Sequence, residues 1–270
     1  MPLFFFLAGF MISREKIIMR GQKIIDILHK RVNRLLVPYL FVGLCYAPFK
    51  LILSQFANKP YDISTIWQLV IGVNPDGELW FLYSLFVITV IAGIFSFRIS
   101  VLGLLLAGVI LLWNPWNIIT NYLFFFLAGI YMRREKKDFV ITMKWCHSIA
   151  LLLLFIAGNY ALLVLKMHAA FLLTALSGTA LVLRGSLMIE HRFRDGSSRL
   201  ATLGIMSMDI YILSDIIKIP FRILLYNKLH FYSLAFIVCL IASVLLSYLV
   251  SKYVIRRRRI LKYLILGIKE

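Results

Sequence analysis

The stretch LWFLYSLFVITVIAGIFSF, Leu79 to Phe97, runs without a charged side chain between Glu78 and Arg98. As an α-helix it would rise about 28 Å, close to the hydrocarbon thickness of a bilayer. Apolar runs of the same kind lie at Leu35–Leu53, Val101–Trp113, Asn117–Met132, Cys146–Leu165, Ala169–Leu183, Leu200–Ile217 and Leu229–Ser251, with a shorter one at Pro2–Ile12. The pattern predicts an all-α protein, a polytopic transmembrane helical bundle of about nine segments, in one domain over residues 1–270.

Composition supports this. Hydrophobic residues make up 61% of the chain and charged ones 16%, and the mean hydropathy is +0.89. That balance excludes a soluble enzyme, a disordered tail and a secreted disulfide scaffold. The net charge of +18 arises from 30 Lys and Arg against 12 Asp and Glu. In a soluble chain such an excess would point to nucleic acid. Here the cations sit in short clusters between apolar runs, so the expected partner is the lipid bilayer and not nucleic acid. Alternating the nine segments across the membrane places 24 cations on one side and 6 on the other. By the positive-inside rule the C-terminus and the loops 14–34, 133–144 and 184–199 are then cytoplasmic. Cys45, Cys146 and Cys239 lie singly in or beside apolar runs, with spacings that suit neither a disulfide framework nor a metal site.

The opening run is short. Met1–Ile12 would rise about 18 Å as a helix. It also lacks the basic start and small-residue cleavage site of a signal peptide. The first segment is therefore read as incomplete and the chain as N-terminally truncated. Its sequence returns later: LFFFLAG occurs at Leu3–Gly9 and again at Leu123–Gly129, each followed by Arg-Glu-Lys, at Arg14–Lys16 and Arg134–Lys136. Both copies run in the same direction across the predicted membrane. The likeness fades beyond the charged triplets, which argues against a whole-domain duplication. Small Ala-Gly pairs beneath aromatics permit close helix approach, so packing alone could account for the echo.

Four pieces in order carry a family resemblance. They are Pro2–Phe10 (PLFFFLAGF), Arg31–Tyr39 (RVNRLLVPY), Glu78–Leu82 (ELWFL) and Leu203–Leu213 (LGIMSMDIYIL). With them the chain resembles the integral-membrane acyltransferase 3 family, whose bacterial members pass acyl groups, often acetyl, to sugars of envelope or exported polysaccharides. The resemblance implies a membrane O-acyltransferase of the bacterial cell membrane, with acyl-CoA as co-substrate, a sugar or polysaccharide as acceptor and no permanently bound cofactor. It also implies about ten spans, the first bearing an arginine and a histidine associated with catalysis. That span is missing here, and Ser214 stands where a family histidine follows the late Tyr-Leu-Leu pattern. The catalytic residue is thus unassigned, and an inactive truncated copy is one alternative. A non-catalytic transporter or flippase is another, although a parallel echo and a peripheral proline fit inverted-repeat transporters poorly.

Acyl transfer to a hydroxyl needs a proton acceptor and donors for the oxyanion. His29, His147, His168, His191 and His230 all fall in loops or near segment ends, where they read as solvated or interfacial side chains. No GxSxG, HExxH or GxGxxG pattern is present. Arg31 and Arg34, spaced i, i+3 on a helix, could meet the phosphates of the acyl donor, as the family match implies, or serve as positive-inside anchors. Ser207, Tyr211, Ser214, Asp215, Lys218 and Arg222 form one stripe of a 3.6-residue helix, expected to face the bundle interior. The stripe reads as a cavity wall for the acceptor, or as an Asp215–Lys218 pair with hydroxyls tying helices together. Pro220 should kink or end that helix, and Asp209 lies off the stripe with no assigned role. Glu78 could accept sugar hydroxyls and Trp80 could stack on a sugar ring, unless Trp80 belongs to an interfacial aromatic belt. The basic run Arg256–Arg259, followed by Ile260, Leu261, Tyr263, Leu264 and Ile265, suits a segment lying on anionic lipid or a stop-transfer anchor.

Overall fold

A computed structural model describes residues 1–14, 24–52, 63–94, 101–113, 118–134, 145–167, 170–192 and 197–268. Among them the structure is helical, with no strand. In chain order the helices are α1 (Pro2–Arg14), α2 (Ile24–Arg31), α3 (Val37–Ile52), α4 (Trp80–Ile94), α5 (Val101–Trp113), α6 (Ile118–Arg134), α7 (Trp145–Leu163), α8 (Ala170–Arg192), α9 (Ser197–Ile205), α10 (Ser207–Phe221), α11 (Tyr232–Val250) and α12 (Arg259–Leu266). A 3₁₀ stretch covers Ile63–Ile71, and π-helical turns cover Val32–Leu36, Arg222–Lys228 and Ser251–Ile255. Every apolar run marked in the sequence contains a helix. Four continuous helices are long and apolar enough to cross a membrane: Leu28–Ile52, Trp145–Leu163, Ala170–Glu190 and Tyr232–Ile255. Pro2–Ile12 and Trp80–Ile94 are shorter apolar helices. Along α7 and α11 the exposed side chains are almost all apolar, among them Leu153, Ile156, Phe236 and Leu240. A helix clothed in this way satisfies its backbone internally and offers only hydrocarbon to lipid.

The chain forms two compact units. One comprises Met1–Ile27 and Val87–Ser198, the other Leu28–Phe86 and Arg199–Glu270. In the first, α1 packs on α6, and the two copies of LFFFLAG meet. A Cβ placed on Gly9 would lie 2.1 Å from the carbonyl oxygen of Phe126, and one on Gly129 would lie 2.1 Å from that of Phe6. Phe5 stacks on Tyr122 with ring centroids 4.5 Å apart, and the Arg133 guanidinium sits 5.1 Å above the Phe10 ring. Early residues of one copy meet early residues of the other and late meet late, so the pair is parallel. The echo is therefore a packing device: each copy supplies the glycine that lets the other's backbone approach, and the aromatics close around the contact. Helices α7 and α8 use the same principle, Gly158 facing Thr174 and Gly178 facing the Phe155 ring.

The second unit carries all three described π turns, two of them beside a proline. Pro38 has no N–H to offer the carbonyl of Arg34, and its ring crowds that group. The helix widens immediately before it, with the Val37 N–H donating to the Val32 carbonyl. Pro220 sits inside α10 just ahead of the π turn Arg222–Lys228, which matches the expected disturbance at this end of the helix. The run Leu200–Ile217, read as one helix, is divided at Met206, whose φ of −91° and ψ of 1° separate α9 from α10. The hydrogen bonding continues through this bend, from the Met206 N–H to the Thr202 carbonyl and from the Ile210 N–H to the Met206 carbonyl. Gly204, two residues earlier, weakens the helix there, and ψ near zero is a sterically permitted kink.

Leu213 of α10, Ile255 of the last π turn and Leu266 of α12 form a buried core, flanked by Ile217, Val250, Leu261, Ile265 and Ile268. The basic run therefore does not lead into a free surface helix. One side of α12 is folded onto the protein.

Candidate functional site

The polar groups of the second unit gather where α3, the loop before α4 and α10 meet. On α3, Tyr39, Gly43, Tyr46 and Lys50 occur at i, i+4, i+7 and i+11, which makes one stripe. Tyr39 donates to the Leu69 carbonyl at 3.0 Å, and Lys50 donates to the Pro75 carbonyl at 2.9 Å. Gly43 leaves room for Asn74, whose side chain would lie 2.6 Å from a Cβ there. The α3 stripe thus holds the loop Asn74-Pro75-Asp76-Gly77-Glu78 from below.

That loop organises itself through two successive side-chain turns. The Asp76 N–H donates to Asn74 Oδ1 at 2.9 Å, and the Glu78 N–H donates to Asp76 Oδ1 at 3.0 Å. Asn74 Nδ2 in turn donates to the Tyr39 carbonyl at 3.1 Å. Such local bonds are why Asn and Asp favour turns. They also bury Asp76 almost completely, at 1% exposure. Burial, followed by the negative charge of Asp215, pushes the Asp76 carboxyl up to about 7; its bond to the Glu78 N–H and the charge of Lys218 only partly offset this.

The α10 stripe faces this loop. Tyr46 donates to Asp215 Oδ2 at 2.7 Å, and Lys218 Nζ lies 2.8 Å from Asp215 Oδ1. Lys218 also bonds Glu78 Oε1, and the Tyr211 hydroxyl donates to the Glu78 carbonyl. The Phe81 ring meets Tyr211 edge-on at 5.7 Å. One ammonium is thus shared by Glu78 and Asp215, with Asp76 close enough to feel both. The Asp215 side chain is mostly buried, whereas that of Glu78 is 43% exposed and so reachable from outside the cluster.

The structure brings Glu78, Tyr211 and Asp215 together. Ser214, also expected to line the cavity, donates to the Tyr211 carbonyl of its own helix. Trp80 is half-buried and meets Phe81 edge-on, so that Phe81 is the ring set against Tyr211. Ser207 and Arg222, at the two ends of the stripe, are exposed. Arg31 closes α2 half-buried, and Arg34 is exposed within the π turn. The i, i+3 geometry expected for these arginines assumed a regular α-helix. The wider turn between them changes their relative direction and turns Asn33 inward.

Of the five histidines, His29, His147 and His230 are exposed. The side chains of His168 and His191 lie outside the described residues. Sequence reasoning passed over Tyr46 and Asp76. Tyr46 had a legible signal in the α3 stripe, and Asp76 had one in the N-P-D-G-E turn chemistry, although its burial was not legible.

Asp209 acquires partners too. At 3% exposure it receives Arg256 Nε at 2.8 Å and the Ser251 hydroxyl, which ties the start of α10 to the last π turn.

A chain that is helical over its described residues, with several membrane-length apolar helices and a half-buried polar cluster in its second unit, is a multi-pass membrane protein. The family model described as "Acyltransferase domain" matches residues 1–252, and the chain belongs to that family, acyltransferase 3. No curated protein and no solved structure matches the chain.

Proposed function

We propose that the protein is an O-acyltransferase that takes an acyl group, acetyl foremost, from cytoplasmic acyl-CoA and passes it to a hydroxyl of a sugar in an envelope or exported polysaccharide. Family membership supports acyl transfer in general. The observation that carries the acceptor side is the cluster of Glu78, Asp215, Lys218, Tyr46 and Tyr211 around buried Asp76. In this reading the exposed part of Glu78 orients the sugar hydroxyl, and Lys218 and the tyrosines supply positive charge and donors. The hydroxyl oxygen bonds to the thioester carbonyl carbon, the C–S bond breaks, and CoA leaves as the thiol. The hydroxyl proton passes into the carboxylate cluster, where Asp76 has the proton affinity suited to accepting it near neutral pH, and from there returns to the departing sulfur. Arg31 and Arg34 would hold donor phosphates.

The test is donor binding and transfer by the protein in nanodiscs. The double substitution Arg31→Gln and Arg34→Gln should weaken acetyl-CoA binding roughly tenfold or more, since each charge-assisted contact is worth roughly 1.5–3 kcal/mol. Unaltered affinity would return both arginines to the role of membrane anchors. Failure of the unmodified protein to bind acetyl-CoA at all would overturn the donor assignment.

In the same reading the chain crosses the bacterial cell membrane nine times and ends in the cytoplasm. The 24-to-6 division of cations supports this. Single cysteines in a background lacking Cys45, Cys146 and Cys239 would be labelled in intact cells near Pro60 and protected in the loop 133–144. Pro60 and residues 135–144 lie outside the described residues, while Arg133 and Arg134 close α6. Labelling of the 133–144 loop from outside would overturn the topology.

A further inference from the structure

We propose that α12 and the turn before it form, together with Arg34, a two-ended phosphate-binding platform for the nucleotide part of the acyl donor. The proposal rests on the donor reading above and extends it to residues beyond 252, where the family match ends.

Three observations lead there. First, α12 is locked beside the arginine pair. The Tyr263 hydroxyl donates to Asn33 Oδ1 at 3.1 Å, and Asn33 lies between Arg31 and Arg34 in sequence. Gly267 ends α12 in the left-handed conformation, φ 64°, so close to that turn that a Cβ would stand 2.1 Å from the Asn33 carbonyl oxygen and 2.5 Å from the Arg34 Cα. Only glycine satisfies both the backbone angle and the approach.

Second, the apolar side of α12 is already occupied. Leu266 is 1% exposed, and Leu261, Ile265 and Ile268 pack with it against Leu213 and Ile255. A helix that binds by lying in a bilayer keeps its apolar side for lipid. This one has turned that side to protein, with Ile260 left as its exposed large apolar side chain. Beside Ile260 it presents Arg259 outward, with Arg257 and Arg258 exposed in the turn before it.

Third, that charge stands at two places. Arg257, Arg258 and Arg259 are exposed at the start of α12, while Arg34 is exposed against its end. Arg256 is half-buried against Asp209 and stands outside the platform, and Arg257 rests over the Tyr253 ring at 5.7 Å. Eight residues of helix separate the two ends by about 12 Å, too far for one phosphate to touch both. A ligand with two separated phosphate groups can engage both, and CoA carries a diphosphate and a 3′-phosphate on opposite sides of its ribose. Guanidinium groups held in fixed positions bind such groups at low ordering cost.

The test is calorimetry on the whole chain in neutral phosphatidylcholine nanodiscs, with acetyl-CoA and with acetylpantetheine, which lacks phosphate. Arg258→Gln with Arg259→Gln should raise the Kd for acetyl-CoA tenfold or more and leave acetylpantetheine unaffected. The charge-keeping variant Arg258→Lys with Arg259→Lys should retain most of the affinity, which separates loss of charge from loss of fold. Unchanged acetyl-CoA binding in the Gln variant overturns the platform, as does an equal loss for acetylpantetheine. If the Gln variant loses only its attraction to phosphatidylglycerol vesicles, the phosphates recognised are those of lipid headgroups and the proposal is overturned in that direction. If the unmodified protein fails to bind acetyl-CoA, the donor reading itself falls. Binding by the unmodified protein that the Gln variant retains sinks only the platform.

Discussion

Arg256→Gln is expected to destabilise the protein by about 3 kcal/mol. Removing one member of a buried ion pair typically costs roughly 3–5 kcal/mol, because the other charge stays desolvated without its partner. The value belongs at the lower end here because the Arg256 side chain is 31% exposed and admits some solvent, although Asp209 is only 4% exposed. The Ser251 hydroxyl remains as a donor to Asp209, but a hydroxyl carries no compensating charge. Asp209→Asn combined with Arg256→Gln should recover much of the loss, since a neutral amide costs far less to bury than a lone carboxylate. Thermal unfolding in detergent, with the two single variants and the double compared as a cycle, gives the coupling energy. An Arg256→Gln protein that unfolds like the unmodified one would show that the carboxylate is solvated in the membrane-embedded state.

The other large effect falls on activity. Asp76→Asn should lower acyl transfer by about 10²–10⁴-fold, the usual consequence of losing a positioned proton acceptor. In the unmodified protein Asp76 must be ionised to accept a proton, so the rate should rise with pH and level off above about 7. The asparagine variant should lose that limb. Stability should move in the opposite sense. The unfolded carboxyl releases its proton near its ordinary value of 3.8, whereas the folded one holds it to about 7. Folding therefore weakens as pH rises between those values and carries the full cost of the buried charge above 7. Asparagine has no charge to bury and keeps the oxygen that accepts the Glu78 N–H, so Asp76→Asn should be at least as stable as the unmodified protein at pH 8. A stable but inactive variant identifies a functional carboxylate. Undiminished transfer by Asp76→Asn would move the proton acceptor elsewhere in the cluster.

Some of the site was visible in the sequence because helices have a fixed period. Tyr211, Asp215 and Lys218 could be placed on one face from spacing alone, and they do share it. The same arithmetic applied to α3 would have found Tyr39, Tyr46 and Lys50, but that run reads first as an apolar span, and hydropathy hides its polar tips. The period misleads where the helix is irregular. Arg34 lies within a π turn that begins just after Arg31, and the run from Leu200 bends at Met206. Ser214 lies on the stripe, yet its hydroxyl turns to its own helix, a choice between local and distant partners that spacing does not reveal.

The sequence by itself determined which segments are apolar enough to lie in a membrane, that the chain is helical, and that LFFFLAG occurs twice with small residues that permit close packing. Those properties follow from hydropathy, backbone hydrogen bonding in lipid and side-chain size, all of which act locally along the chain. Tertiary structure alone decided the pairings. Tyr46 reaches Asp215 across 169 positions, Tyr263 reaches Asn33 across 230, and Asp209 takes Arg256 rather than a cation on its own helix. A charge in an apolar surrounding must find a partner, but many cations in this chain could have served. Which one does depends on the helices that stand side by side and on the rotation at which each one packs.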